Sequence, residues 1–496
     1  MTKITKTERV RKGTKRGPNT KAITIDSVNP VIKNIEFAIR GPLNVRALEI
    51  EKELEKGVEK PFTEVIKANV GDAHAMGQLP ITFIRQVLAL VTLPELLDDP
   101  KYPADVKSRA RTILANCRGG SIGSYTEAMG LDLIRKHVAE YIQERDRVPA
   151  DPENIVLSCG ATDGVRTVLK LLGADVNNKQ AGVMIPIPQY PLYSSTLTDF
   201  DMTLIGYYLD EENNWSLNIS ELERAIEEAE ELCHPRAIVV INPGNPTGQV
   251  LTRKNIEEII KFAYRENLFI LADEVYQYNI YADGSEFHSF KKVLMEMGEP
   301  YCRMELASFY SVSKGYMGEC GIRGGYAEVI NLDPQVRELF EKLINISLCP
   351  ATLGQVAMEC TMNPPREGEP SYELFMHERN SILNSLKERA KLVAETFDSV
   401  EGLSCQPVQG AMYAFPKLEL PPKALAKAAS LNLDPSVFYA LRLLESTGVC
   451  VVPGAGFGQK PGTHHVRTTI LPQVDQLESM LTKFKEFHMK FLAEYK

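Results

Sequence analysis

The sequence predicts an α/β protein: a large domain with a mainly parallel seven-stranded sheet between helices, then a smaller α+β domain. Three observations predict it. At 496 residues the chain is too long for one simple core. From about residue 153, apolar runs of strand length alternate with helical patterns, which implies right-handed crossovers and parallel pairing. After Pro370 that rhythm gives way to one long amphipathic run and several short strands.

Bulk properties exclude several classes. With 44% hydrophobic and 24% charged residues the composition is that of a globular chain, and no apolar run is long enough to span a bilayer. A net charge of −9 argues against a general nucleic-acid-binding role. The nine cysteines are scattered, odd in number and never form Cys-x-x-Cys, which argues for a reducing compartment and against a disulfide framework or zinc site. The eight histidines show no His-Glu-x-x-His pattern. In the first 25 residues Lys3, Lys6, Arg9, Arg11, Lys12, Lys15, Arg16 and Lys21 face one acid, Glu8. That start reads as a mitochondrial presequence or as a disordered basic arm on a cytoplasmic protein, and its shortage of bulky apolar residues favours the arm.

The elements follow in order. Residues 45–56 form an acidic-basic helical run, 69–72 a turn and 82–93 a helix. Arg118-Gly119-Gly120-Ser121-Ile122-Gly123-Ser124-Tyr125 is a glycine-rich loop ahead of a helix over 131–145. Strands are predicted at 154–158, 182–187, 202–208, 237–241, 268–272, 306–310 and 326–330. Helices are predicted between them at 162–172, 220–232 and 253–265. Beyond Pro370 come a long helix over 372–397, strands at 411–415, 449–452 and 466–470, and helices near 434–446 and 473–494.

In such sheets ligands sit outside the carboxyl ends of the strands. Cys159-Gly160-Ala161-Thr162 opens a helix after the first strand, where backbone N–H groups suit an anion such as phosphate. Pro188-Gln189-Tyr190-Pro191 follows the second; Tyr190 reads either as a stacking aromatic or as core. Asn242-Pro243-Gly244-Asn245-Pro246-Thr247-Gly248 is a rigid turn that either presents Asn245 to a ligand or is purely structural. Asp273, in Ala272-Asp273-Glu274-Val275-Tyr276, reads as a helix cap or as a buried carboxylate in need of a cation. Ser311-Val312-Ser313-Lys314-Gly315 places a lysine between two strands. It is either a solvated loop residue or an amine set to form a Schiff base with a carbonyl cofactor, assisted by burial that lowers its pKa. Arg467, in mid-strand, reads as an interdomain salt bridge or a carboxylate clamp.

Taken as an ordered set, Asn-Pro-x-Asn-Pro-Thr-Gly, Ala-Asp-Glu-Val-Tyr, Ser-x-Ser-Lys and a glycine-flanked arginine, Arg323, resemble the class I aminotransferases. These are pyridoxal 5'-phosphate (PLP) enzymes of fold type I. Pro61-Phe62-Thr63-Glu64, Ile185 to Tyr193 and Val452 to Gln459 draw the likeness closer to the alanine-using members, over nearly all of the chain beyond residue 25.

The resemblance implies that Lys314 carries the cofactor and shuttles a proton, that Asp273 holds the ring nitrogen protonated, and that Tyr276 and Asn245 bond the ring oxygen. It implies that Tyr190 stacks on the ring. Ser311, Arg323, Ala161 and Thr162 would hold the phosphate, Arg323 lying nine positions after Lys314 where many members have eight. Arg467, with Gly41 nearby, would take the substrate α-carboxylate. Tyr125 would reach the phosphate of a neighbouring subunit, which implies a homodimer with shared sites. The implied reaction is ping-pong exchange of an amino group between L-alanine and 2-oxoglutarate, with no metal, nucleic acid or membrane. The expected organisation is a basic arm at 1–25, an N-terminal segment at 26–120 serving the small domain and dimer contacts, a large domain at 121–370 and a small domain at 371–496.

Gly454-Ala455-Gly456-Phe457-Gly458 imitates a dinucleotide fingerprint, but its spacing differs and the acid twenty positions on, Glu478, falls in a predicted helix. A lyase of the same fold would share Lys314, Asp273, Asn245 and Arg467. A non-catalytic PLP-binding regulator would bring a DNA-binding module that this acidic chain lacks.

Overall fold

The computed structural model describes residue 21 and residues 23–496. Most of the basic arm predicted at 1–25 lies outside the described residues.

The N-terminal part is helical: α1 (Pro42–Glu55), α2 (Thr82–Thr92), α3 (Ala104–Asn116) and α4 (Asp132–Asp146). Helix α1 buries Leu43, Ala47 and Ile50, a stripe at helical spacing. Those side chains join the apolar core of the C-terminal part, and Ile66 bridges to Val449. Helices α2 and α3 go elsewhere, packing with α4.

The sheet then forms from β1 (Ile155–Ser158), β2 (Ala181–Ile187), β3 (Thr203–Tyr208), β4 (His234–Ile241), β5 (Phe269–Asp273), β6 (Leu306–Ser311) and β7 (Gly325–Ile330). Their order is β1-β7-β6-β5-β4-β2-β3, and β7 alone runs against its neighbours. Every residue of β1, β5, β6 and β7 is buried, as expected of strands covered on both faces. Covering helices alternate with the strands as α5 (Ala161–Leu171), α6 (Leu192–Asp199), α7 (Ile219–Ala229), α8 (Arg253–Arg265) and α9 (Phe290–Glu296), and α10 (Pro334–Asn345) and α11 (Thr352–Met362) follow β7. Several start where the sequence supplies a cap: Asn218 for α7, Thr252 for α8, Ser289 for α9 and Asp333 for α10.

The C-terminal part is built on α12 (Tyr372–Asp398), with β8 (Leu403–Ser404), β9 (Tyr413–Ala414), β10 (Lys417–Leu418), α13 (Pro422–Ser430), α14 (Pro435–Thr447), β11 (Val452–Pro453), β12 (Val466–Thr469) and α15 (Val474–Tyr495). Strands pair as β11-β12-β9 and β10-β8. These strands are shorter than their apolar runs, and between β8 and β9 the backbone of Gly410 and Ala411 donates to the carbonyls of Gly248 and Asn279 in the loops after β4 and β5. Among the described residues no helix is long and apolar enough to cross a membrane.

Candidate active site

Strands β4, β5 and β6 lie side by side, so the residues just past their ends converge. Register places Ile241 opposite Asp273 and Asp273 opposite Phe309. The backbone of Asn242 donates to the Asp273 carbonyl at 3.0 Å and Glu274 donates to Phe309 at 3.1 Å, which fixes both turns. The result is a cavity of about 680 Å³. Of the sequence-predicted residues, Lys314, Asp273, Tyr276, Asn245, Tyr190, Ser311, Arg323, Ala161, Thr162 and Arg467 line it. Gly41 and Tyr125 do not. Gly41 caps the start of α1, behind the cavity-lining Phe37 and Ile39, and Tyr125 is 67% exposed on the surface.

Asp273 is buried. The Tyr193 hydroxyl donates to its Oδ2 at 2.8 Å, while Oδ1 has no partner among the described residues. Burial pushes its carboxyl up to about 6 against the pull of Tyr193, the Val275 N–H and Lys314. A buried carboxylate oxygen left without a donor costs free energy unless a ligand supplies one. A protonated ring nitrogen is such a donor.

Lys314 donates to the Gly71 carbonyl at 3.2 Å and lies 5.8 Å from the centre of the Tyr276 ring. Its pKa is raised, against the expectation that burial would lower it. Burial does pull it down, but the Tyr413 hydroxyl, Cys320 and Tyr190 outweigh that pull and raise it. The reason is local: Tyr413 carries a hydroxyl whose own pKa is lowered, because Lys314 and Arg467 outweigh its burial. Asn245 Nδ2 donates to the Tyr276 hydroxyl at 3.4 Å, so amide and phenol act as one unit. Tyr190, against Phe37 with centroids 6.4 Å apart, walls one side.

At the other end, the first turn of α5 has no side-chain cap, and Ala161 and Thr162 face the cavity. Arg323, in the left-handed region at φ 62°, donates to the carbonyls of Cys320 at 2.9 Å and Cys159 at 3.1 Å and to Ser313 Oγ at 3.3 Å. Gly160 makes this possible, since a Cβ there would sit 2.3 Å from the Arg323 guanidinium. Uncapped N–H groups, two serine hydroxyls and a guanidinium form an anion cradle of the kind that suits a phosphate. Its donors and the unpartnered Asp273 oxygen together fit pyridoxal phosphate.

Arg467 is fully buried among aromatic faces, with its Cζ 4.1 Å from the Tyr413 centroid and 4.8 Å from that of Phe457. It donates to Asn245 Oδ1 at 3.1 Å and to the Asn69 carbonyl at 2.6 Å, while Nε has no partner among the described residues. Among the described residues no carboxylate is paired with it, so the reading of Arg467 as an interdomain salt bridge is not supported. A buried guanidinium with a free donor invites an anionic ligand.

Sequence reasoning missed Gly71, Tyr193 and Tyr413. Tyr193 ends the predicted Ile185–Tyr193 motif, and Tyr413 lies in a predicted strand. Neither carried a signal of its contacts, which arise only when distant segments meet.

A family profile described as "Aminotransferase class I and II" matches residues 97–484. Alanine aminotransferase 2 of Xenopus laevis is 55% identical over 98% of this chain and 90% of its own length. Alanine aminotransferase 1 of Homo sapiens is 55% identical over 97% of each chain. The solved structure of an alanine aminotransferase from Pyrococcus furiosus superposes with a TM-score of 0.73 at 24% identity, covering 93% of this chain and 99% of that one, a likeness of fold.

Proposed function

The chain belongs to the class I and II aminotransferases, and on that premise we propose that it is an alanine aminotransferase. It would move the amino group of L-alanine to 2-oxoglutarate, giving pyruvate and L-glutamate by a ping-pong route. One observation carries the reading. The Lys314 amine, the unpartnered Asp273 oxygen and the Arg467 fork open into one cavity whose far end is an anion cradle. The 55% identity with curated alanine aminotransferases supports the choice of substrate.

Pyridoxal 5'-phosphate, when bound, supplies an aldehyde that condenses with amines and a ring that draws electrons from the substrate Cα. Ala161, Thr162, Ser311 and Arg323 would hold its phosphate. Asp273 would face the ring nitrogen and keep a proton there, with Tyr193 fixing the carboxylate. Tyr276 and Asn245 would hold the ring oxygen, and Tyr190 would cover one face and exclude water. Lys314 would bind the aldehyde and, once displaced by the substrate amine, carry a proton away from Cα and return it. Arg467 would clamp the α-carboxylate of both substrates, and in the amino acid this would aim the Cα–H bond at the lysine.

We further propose a homodimer in which the exposed Tyr125 reaches the neighbouring phosphate cradle. For the compartment we propose the cytoplasm, on the apolar-poor basic arm; one relative, from Dictyostelium discoideum, bears the name "Probable alanine aminotransferase, mitochondrial".

A single-turnover assay tests the reading. Cofactor-loaded protein given alanine alone should release one pyruvate per site and stop, and 2-oxoglutarate should then give glutamate and restore the starting spectrum. Continued turnover on alanine without an oxo acid, or release of ammonia, would point to a lyase instead.

A further inference from the structure

Tyr413, on β9, joins the two working ends of the cavity. Its hydroxyl lies against Gly71: a Cβ at that glycine would come within 2.0 Å of the phenol oxygen and 3.2 Å of Lys314 Nζ, so oxygen and amine crowd one backbone point. Its ring face carries the Arg467 guanidinium at 4.1 Å, and its edge meets Tyr276 with centroids 6.1 Å apart. A substrate whose carboxylate sits on Arg467 and whose amine reaches Lys314 spans the length of this side chain.

A lysine that acts as a base must first give up a proton, and Lys314 holds its own tightly. The titratable and charged groups around the pair are Cys320 from the Lys314 loop, Asp273 at the end of β5 and Tyr276 just past it, Tyr190 past β2, Arg467 on β12, Asp72 in the N-terminal segment and Arg323, a cation held by the Cys320 and Cys159 carbonyls. Asp273 holds the Tyr193 hydroxyl on Oδ2, and on the proposed reading its Oδ1 is reserved for the cofactor ring nitrogen. Burial pushes the Cys320 thiol and the Tyr190 and Tyr276 phenols upward, which keeps them protonated and so without a site for the lysine's proton. Asp72 lines the same cavity and helps to push the Cys320 thiol upward. Tyr413 alone among these phenols is shifted down, with Lys314 and Arg467 outweighing its burial.

Resting on the reading of Lys314 as the working base, we propose that Tyr413 is its proton partner, a positioning residue whose hydroxyl oxygen takes the ammonium proton and hands it back. In the forward transfer an Nζ–H bond of Lys314 breaks and an O–H bond of Tyr413 forms. An ammonium and a phenolate become a neutral amine and a neutral phenol, with no change of net charge. The same ring holds Arg467 in place, which ties the amine end to the carboxylate end.

The test uses the full chain freed of cofactor. Pyridoxal phosphate is added across a pH series, borohydride fixes what has condensed, and the Lys314 peptide is weighed. Condensation needs the neutral amine, so its rising limb reports the lysine. In Tyr413→Phe the limb should move to lower pH by about one to three units, because an opposite charge beside the amine is gone. KM for alanine and 2-oxoglutarate should stay within about twofold, since the ring remains under Arg467. Tyr413→Leu should also raise both KM values roughly tenfold by removing the ring face. In the unmutated apoprotein, one tyrosinate band should appear below the ordinary tyrosine range and move to higher pH in Lys314→Ala, a measurement that needs no Tyr413 variant to fold. An unmoved limb in Tyr413→Phe, or the absence of that early tyrosinate, would overturn the proton-partner role. Failure to fix cofactor on Lys314 in the unmutated protein at any pH is a separate result, and would overturn the reading of Lys314 itself.

Discussion

Replacing Gly71 with alanine should disable the site while leaving the fold standing. The new Cβ would lie 2.0 Å from the Tyr413 oxygen and 2.9 Å from its Cζ, where ordinary contact begins at 3.4 Å. The phenol must therefore retreat by about 1.4 Å. It has little room, since the Arg467 guanidinium lies 4.1 Å from its face and Tyr276 stands at its edge. Overpacking of this kind costs about 1–3 kcal/mol, which a chain of this size withstands. A misplacement of about 1 Å at the reacting groups costs on the order of 100-fold in rate. Pyruvate formation from alanine and 2-oxoglutarate should fall by about that factor, with only a modest drop in the melting temperature. Gly173→Ala, whose Cβ would meet nothing nearer than 3.8 Å, should behave as the unmutated protein. A Gly71→Ala protein with turnover within about twofold of the parent would refute the packing of Tyr413 and Lys314 described here.

Three further outcomes follow from the charges. Asp273 titrates near 6 when folded, above its unfolded value, so the native apoprotein binds the extra proton and loses stability as pH rises through that window. Asp273→Asn should accordingly stabilise the apoprotein by roughly 2–3 kcal/mol at pH 8, a gain that fades as pH drops below 6, while turnover falls about 100-fold or more. Chemical denaturation at several pH values reads the first effect, and an equal gain at every pH would contradict it. Arg467→Ala should raise KM for both alanine and 2-oxoglutarate by about 10- to 100-fold, the worth of a charge-assisted pair, and an effect on neither would return that arginine to a structural role. His488 is buried between the Tyr439 hydroxyl at 2.9 Å and the Glu401 carbonyl at 3.0 Å, and burial lowers it to about 4. Its folded value lies below the unfolded one, so acid between pH 6.5 and 4 should cost roughly 2–3 kcal/mol, a slope that His488→Gln should flatten in urea melts.

How much of this could be read in advance depended on whether a signal was local. Helix α8 matches its predicted span because an amphipathic stripe and the Thr252 cap both lie within it. Helix α11 was not predicted: Gly354 to Met362 are all buried, so no polar face marks a period. Helices α6 and α9 are too short to show one. The site divides in the same way. Asp273, Asn245 and Lys314 announce themselves because parallel strands deliver their ends to one place. Tyr413 and Gly71 do not, because their meaning is a contact between a C-terminal strand and an N-terminal turn. The pKa of Lys314 was misjudged for that reason. Burial is legible in an apolar context, whereas the phenol that reverses its effect arrives from another part of the chain.

Lys314 is the residue on which every other assignment leans. Protein supplied with pyridoxal phosphate, treated with borohydride and digested, should yield one modified peptide, the one containing Lys314, with the coenzyme's mass added. Recovery of that peptide unmodified, or of the added mass on another lysine, would contradict the account.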